Sequence, residues 1–340
     1  MKNSQLQIGE DESRYLKELR DCRLCAWECG TNRLQGEQGV CRLTVPMVAS
    51  SMLHPAPPSS YDAFSVGCSF RCLFCQNWRI ANYPDNPASY DIEGYYQPKK
   101  WAELSLQQLK SPHARFIGAD SLFFTGGEPT CSLPWIEEVV KEAREIDHSI
   151  KVNYDTNGFL TKKSLLRVLD LATSITFDIK AHSDKIHQAL TGAPVEPVLK
   201  NAEYIGKKAK EKLWEFRIMV IPGIHEKEIQ SLCEFIAGID TTLPVCFLAF
   251  RPNFVMASHY GATLELMNYC IDIAKKTGIE NVHWSGTVDI RGEMPKVEGL
   301  DLAYAYVEIG GCIQKNHRNC KTCMNMSKCE IKKHVPFMST

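Results

Sequence analysis

Apolar residues along this chain recur in short runs separated by longer stretches of helical period. The runs are residues 63–66, 121–125 (SLFFT), 150–155 (IKVNYD), 174–180 (SITFDIK), 213–221 (LWEFRIMVI), 244–250 (PVCFLAF) and 281–284. Each has the length and β-branched or aromatic content of a buried strand. Between them, residues 100–110, 134–146, 161–171, 198–210, 226–237 and 262–276 carry apolar positions at a helical spacing. Short buried strands alternating with helices predict parallel β/α units joined by right-handed crossovers. Six or seven such units fit a partial or open (β/α) barrel, an α/β fold whose active site lies at the C-terminal ends of the strands. The Pro- and Ser-rich stretch HPAPPSS, residues 54–60, reads as a connector ahead of this region. The β/α pattern fades from about residue 291. The predicted organisation is a Cys-rich module over residues 1–55, the partial barrel over 60–290 and a second Cys-rich segment over 291–340.

Composition narrows the picture only in part. The formal net charge of −1 gives no general attraction to nucleic acid or to an anionic membrane. The polar, acidic start MKNSQLQIGEDESRYL lacks the apolar core of a secretory signal, and no apolar run has the length of a membrane span. A cytoplasmic protein is expected, with no nucleic-acid or membrane partner.

Cysteine changes the picture most. Eleven of the fifteen cysteines fall into three tight groups: Cys22/Cys25/Cys29/Cys41, Cys68/Cys72/Cys75 and Cys312/Cys320/Cys323/Cys329. In a reducing compartment, clustered cysteines are better read as thiolate ligands than as disulfides. The scattered Cys131, Cys233, Cys246 and Cys270 are expected in the core as small hydrophobes, with Cys131 set apart by its place just after GGEPT.

The central group lies in GCSFRCLFCQNW, residues 67–78. Three thiolates on a loop can hold three irons of a cubane cluster and leave the fourth iron open, where four cysteines are the rule. Zinc is the alternative that three cysteines alone leave standing. Further along, FFTGGEPT (123–130) removes side chains at Gly126 and Gly127 and supplies the acceptor Glu128. YDTNGF (154–159), FDIKA (177–181) and FRIMVIPG (216–223) end successive predicted strands and present Asp155, then Asp178 with Lys180, then Arg217. Residues two apart in a strand share a face, so Asp178 and Lys180 point the same way.

The C-x3-C-x2-C pattern with Phe74 before its last cysteine, followed by GGE, resembles the radical S-adenosylmethionine superfamily. DTNG, DIK and R-x-x-V-x-P-G, in this order, resemble its glycyl-radical-enzyme activases, including pyruvate formate-lyase activating enzyme. Gln76-Asn77-Trp78 and the N-terminal CRLC…C…GVC are similar to one activase-like subgroup. The resemblance spans roughly residues 60 to 290. It implies the superfamily's partial (β/α)6 barrel, a 4Fe–4S cluster on Cys68, Cys72 and Cys75, and S-adenosylmethionine on its open iron. By resemblance, Gly126, Gly127 and Glu128 hold the amino group of that cofactor, and Asp155 helps hold a cation nearby. Asp178, Lys180 and Arg217 contact the cofactor or its surroundings. Where activases carry a histidine segment after the sixth strand, this chain has LAFRPNF, so Arg251 takes that place.

The implied activity is reductive cleavage of S-adenosylmethionine to a 5′-deoxyadenosyl radical that abstracts hydrogen from a protein or peptide, with flavodoxin or ferredoxin as electron donor. Cobalamin-dependent methylation of a protein residue, as on methyl-coenzyme M reductase, is the alternative, although no D-x-H-x-x-G signature is present. An iron–sulfur electron carrier is the third reading; it leaves the row of strand-end motifs unexplained. The outer groups suit an auxiliary 4Fe–4S cluster or zinc, and the C-terminal spacing partly resembles auxiliary-cluster domains of peptide-modifying radical enzymes.

Overall fold

The computed structural model describes residues 14–87 and 90–336. Most of the acidic start of the chain lies outside those residues. Among the described residues, eight strands form one sheet in strict sequence order, β1 to β8. They are β1 Val48–His54, β2 Ser60–Ser65, β3 Ser121–Gly126, β4 Lys151–Thr156, β5 Ser174–Asp178, β6 Leu213–Val220, β7 Val245–Ala249 and β8 Val282–Ser285. β1 runs antiparallel to β2; every later pairing is parallel. Sequential parallel strands with right-handed crossovers place their helices on one face, so the sheet is an arc of barrel wall rather than a flat layer. The arc does not close: β1 and β8 are its two edges.

All seven predicted strands are present within a few residues of their expected bounds. The antiparallel β1 gave no clean alternation and was not expected; the HPAPPSS connector is its turn into β2. Among the described residues, the eight helices of eight or more residues are α1 Pro98–Leu109, α2 Leu133–Ile146, α3 Lys162–Leu171, α4 Asp184–Thr191, α5 Glu196–Lys208, α6 Glu228–Ile239, α7 Leu264–Lys276 and α8 Gly299–Ile309. Local signals start several of them. The Thr161 and Thr263 hydroxyls accept from Ser164 N and Leu266 N, at 3.3 and 3.1 Å, and cap α3 and α7. Pro98 and Pro134 occupy first-turn positions where a missing N–H costs nothing.

Two helices escaped the sequence pattern. α4 is short and ends at Gly192, in the left-handed region at φ 82°. α8 lies in the stretch where the pattern fades, and it packs on α4 by burying Leu302, Ala303, Tyr306 and Val307. The core lies between the sheet and these helices, with Trp101, Trp135, Phe124, Tyr154, Phe177 and Phe216 fully buried. No helix of the described residues is long and apolar enough to cross a membrane.

Candidate active site

A cavity of about 170 Å³ opens at the C-terminal ends of the parallel strands. Its walls include Cys68, Cys72 and Cys75, Gly126 to Glu128, Asp155, Asp178, Lys180 and Arg217. Ten residues named from separate sequence motifs therefore meet around one space. Arg251 is not among them; it is exposed on the loop after β7. Phe70, Phe74, Met219 and Leu248 supply apolar wall, and Thr125, Thr156, Asn157, Asn77 and Gln76 complete the polar part.

The cysteine loop leaves β2 through Gly67 and folds over the strand ends. Burial pushes the thiols of Cys68, Cys72 and Cys75 up to about 12. Such thiols stay protonated unless a cationic centre draws the protons off, which is the behaviour expected of buried iron ligands. Gly126 takes φ 108°, which a side chain would strain, and a Cβ on Gly127 would overlap the carbonyl oxygen of Gly67. The double glycine is thus needed to seat β3's end directly beneath the cysteine loop. Asn77, in QNW, donates from Nδ2 to the Gly126 carbonyl at 2.9 Å and ties the two together.

Glu128 is more occupied than its motif implies. Its Oε1 accepts from Thr130 N at 3.1 Å and from the Thr156 hydroxyl at 3.0 Å; its Oε2 accepts from Asn157 N at 2.8 Å. The carboxylate clamps the GGEP turn to the DTNG turn. Burial raises it to about 7 despite those donors. Asn157 continues the network, donating to the Ser69 hydroxyl at 3.0 Å, with Cys68 Sγ at 3.7 Å. Nothing local in the sequence marks this contact of Asn157 to a cysteine 89 positions away.

The charged wall is a compact quartet. Lys180 Nζ lies 2.7 Å from Asp178 Oδ2, and Arg217 Nη1 lies 3.9 Å from Asp155 Oδ1. Thr125 donates to Asp155 Oδ2 at 2.8 Å, while the buried Oδ1 has no hydrogen-bond donor. Burial raises the Asp155 carboxyl, opposed by Arg217. Burial pulls Lys180 down, but Asp178 and Cys72 more than offset it, and the ammonium is held charged. A cavity-lining carboxylate whose buried oxygen lacks a hydrogen-bond donor, beside a backbone-only glycine cradle, fits an ammonium or a metal cation.

His225 and Glu228 are the functional supports that sequence reasoning missed. His225 Nδ1 accepts from Ile221 N and its Nε2 donates to the Lys180 carbonyl, each at 2.9 Å. Glu228 Oε2 accepts from His182 N at 2.8 Å and Ser183 N at 2.7 Å. Together they fasten the Pro-Gly turn after β6 to the segment that presents Lys180.

Both outer cysteine groups pack against this same loop, and none of their thiols lines the cavity. In the first, Cys22 and Cys41 are buried, and Cys25 and Cys29 are half-buried. Ala26 N donates to the Phe159 carbonyl at 3.0 Å and Trp27 Nε1 to the Ser69 carbonyl at 2.8 Å. In the second, Cys320 N donates to Gly192 O at 2.9 Å at the end of α4, whose Thr191 and Leu190 carbonyls accept from Arg71 N and Leu73 N. Lys321 Nζ reaches the Trp27 carbonyl and joins the two groups.

Burial differs within the second group. Cys320 is buried, whereas Cys312, Cys323 and Cys329 are only half-buried. The cause is local. Cys323 sits in a turn, where its carbonyl accepts from Met326 N at 3.2 Å, between the exposed Thr322 and Met324. Cys329 follows directly and precedes the short helix Glu330–Lys333. Its sulfur faces inward: burial pulls Arg71 down, but Cys320 and Cys329 beside it more than offset that loss. Cys320 and Cys329 thus share a buried guanidinium.

Cys131 is buried as expected and also acts on Cys41, whose thiol it lowers chiefly by hydrogen bonding. Cys233 and Cys270 are simply buried, as expected.

The family model of the radical S-adenosylmethionine superfamily matches residues 63–236, just over half of the chain. The chain belongs to that superfamily. Pyruvate formate-lyase-activating enzyme of Staphylococcus epidermidis is 29% identical over 271 residues, which cover 76% of this chain and 92% of that enzyme. A protein of Methanocaldococcus jannaschii is 22% identical over 275 residues, or 78% of this chain and 77% of its own. Among solved structures, a domain of pyruvate-formate lyase-activating enzyme from Bacteroides vulgatus matches with TM-score 0.39 and 22% identity, covering 49% of this chain and 99% of that one. Streptococcus suis SuiB bound to precursor peptide SuiA matches with TM-score 0.46 and 17% identity, covering 64% of this chain and 46% of that one. The family implies a 4Fe–4S cluster and S-adenosylmethionine, and the three thiols, the glycine cradle and the free Asp155 oxygen suit that pair.

Proposed function

We propose that this radical S-adenosylmethionine enzyme abstracts hydrogen from a protein or peptide substrate. The observation that carries the reading is the single cavity where Cys68, Cys72 and Cys75 meet Gly126–Gly127 and the Asp155–Arg217 and Asp178–Lys180 pairs. The relation to an activating enzyme, at 29% identity over most of both chains, favours a macromolecular substrate. Cys68, Cys72 and Cys75 would hold a 4Fe–4S cluster, which when bound would supply one-electron reduction to S-adenosylmethionine.

The protein's own part is to bind, orient and exclude. The backbone carbonyls of Gly126 and Gly127 receive the amino group, and Glu128 holds that turn against the next one. Asp155 offers its free oxygen to a cation, Arg217 balances it, and Lys180, fixed by Asp178, reaches toward the cysteine loop. Phe70, Phe74, Met219 and Leu248 keep water from the reacting carbon, which guards a radical against quenching.

The outer groups hold metal centres as well, an auxiliary 4Fe–4S cluster on Cys312, Cys320, Cys323 and Cys329 and a cluster or zinc on Cys22, Cys25, Cys29 and Cys41. The support is electrostatic. Arg33, Arg71, Arg318 and Lys332 are buried, and the groups around them are mostly carbonyls and cysteines. Buried Arg33 Nη2 and Arg318 Nε have no hydrogen-bond partner. Buried cations short of counter-charge call for anions, and a thiolate-ligated cluster or zinc centre is one. A flavodoxin or ferredoxin would donate electrons.

The test is anaerobic reconstitution, followed by reduction with S-adenosylmethionine and cobalamin and mass spectrometry of the products. 5′-Deoxyadenosine without S-adenosylhomocysteine is expected. Cobalamin-dependent S-adenosylhomocysteine would replace the proposal with methyl transfer. Cluster-loaded protein that forms neither product in the presence of candidate substrate proteins would overturn it.

A further inference from the structure

Among the described residues, a further set of side chains outside the cavity and the cysteine groups has the make-up of a metal site. Glu215 on β6, Cys246 on β7 and His283 on β8 bring a carboxylate oxygen, a thiol sulfur and an imidazole nitrogen within 4.8 Å of one another. Their convergence follows from register. Arg217 pairs with Cys246, and Cys246 with His283, across parallel strands, where paired residues point to the same face. Glu215 is two residues before Arg217, and Cys246 two before Leu248; Arg217 and Leu248 both line the cavity. The three donors therefore lie on the inner face of the arc, one layer beneath its mouth. Glu215 and Cys246 are buried and His283 is exposed at the open edge, which gives an ion a way in.

A structural role alone explains this set poorly. Glu215 Oε2 lies 3.6 Å from His283 Nε2, beyond good hydrogen-bond length. Cys246 Sγ has only the Ser285 hydroxyl at 3.6 Å and a carbonyl at 3.8 Å. Three donors that face one another without close bonds leave room between them. The positive charge nearby is Arg217, which donates from Nε to Glu215 Oε1 at 3.1 Å and leaves Oε2 toward the other two donors.

We infer that Glu215, Cys246 and His283 bind one divalent transition-metal ion, with Zn(II) the best match to a mixed oxygen, sulfur and nitrogen set. Three protein ligands and a fourth position open to solvent form the usual four-coordinate arrangement. Binding exchanges the Cys246 thiol proton for the metal, so one proton is released per ion, and no electron moves. Burial raises that thiol to about 11, so the metal-free protein keeps the proton. The ion pins edge strand β8 to β6 and β7 and holds the carboxylate on which Arg217 rests. This inference does not depend on the substrate proposed above.

The test uses full-length protein with its iron–sulfur clusters reconstituted, titrated anaerobically with Zn(II) against a competing chelator. Wild type should take up one equivalent more than His283→Ala and one more than Cys246→Ser, with iron content equal in all three. His283 is exposed at an edge, so its truncation leaves the core intact and serves as the control for misfolding. Equal zinc uptake by wild type and the His283→Ala protein would place any zinc in the outer cysteine groups and overturn the assignment.

Discussion

The inner cysteine triad and the two outer groups use the same side chain in different settings. Cys68, Cys72 and Cys75 sit on one loop at the mouth of a regular sheet, and the ends of β3, β4, β5 and β6 supply the rest of the cavity. The outer groups have little regular structure of their own. They are held by long-range bonds: Arg33 Nη1 to the Cys131 carbonyl at 2.8 Å, Arg318 Nη1 to Ala189 O at 2.8 Å and Lys332 Nζ to Ala81 O at 2.9 Å. The inner site is built by a repeating backbone, the outer ones by buried cations. A strand end delivers a side chain to a predictable place; a buried arginine delivers one only where the surrounding carbonyls happen to be. The outer groups also brace the loop from behind, so the distinction between catalytic core and appendage is weaker in space than along the chain.

The sharpest way to break the comparison is to delete one thiol from each region. Cys72→Ala should abolish 5′-deoxyadenosine formation, whereas Cys320→Ala should keep it when dithionite replaces a protein donor. Product from the Cys72→Ala protein would sink the assignment of the triad.

Next in size is Gly127→Ala, whose new methyl meets the Gly67 carbonyl. Displacement of the cradle by a fraction of an ångström to one ångström should slow S-adenosylmethionine cleavage about 100-fold. Iron content should stay at the wild-type level, which separates a misplaced cofactor from a lost cluster.

Arg318→Leu tests the outer region's dependence on buried charge. It strands the Ala189 and Arg71 carbonyls that now accept from the guanidinium. Denaturant unfolding should show a loss of about 3 kcal/mol. A loss below about 0.5 kcal/mol, the range of surface substitutions, would mean that the cation is dispensable.

The smallest effect concerns the barrel beneath the inner site. Burial raises the Asp62 carboxyl from 3.8 to about 6, against the Ser60 hydroxyl, which donates to it at 2.6 Å. The folded state then binds more protons than the unfolded one between those values, so stability falls as pH rises from about 4 to about 6. The decline should be on the order of 2 kcal/mol, and Asp62→Asn should flatten it. An unchanged pH slope in that variant would place the titration elsewhere.

Particular residues show why some features were legible and others were not. Gly126, Gly127, Asp155, Asp178, Lys180 and Arg217 were readable because each ends a strand of clear period, and strand ends of a parallel barrel meet. The edge strand β1 was missed because its burial does not alternate cleanly, and α8 because its segment follows the point where the β/α rhythm stops. Glu128 was read as a ligand group, yet its oxygens accept from Thr130, Thr156 and Asn157. His225 and Glu228 gave no signal, since their work is done on backbone groups dozens of residues away. The unequal burial of Cys320, Cys323 and Cys329 was equally hidden, because spacing counts residues and not the turns between them. Cys246 was read as core, and its strand spacing agrees; its facing partners come from two other strands.

Local period and motif spacing along one chain segment were enough to give the order of strands and helices, the superfamily and the contents of the central cavity. Three features came from tertiary structure alone: all three cysteine groups crowd one loop, Cys131 lies beside Cys41, and Glu215, Cys246 and His283 share a face. These are products of register and of buried long-range bonds, and a distance between remote residues leaves no mark on the local pattern of either.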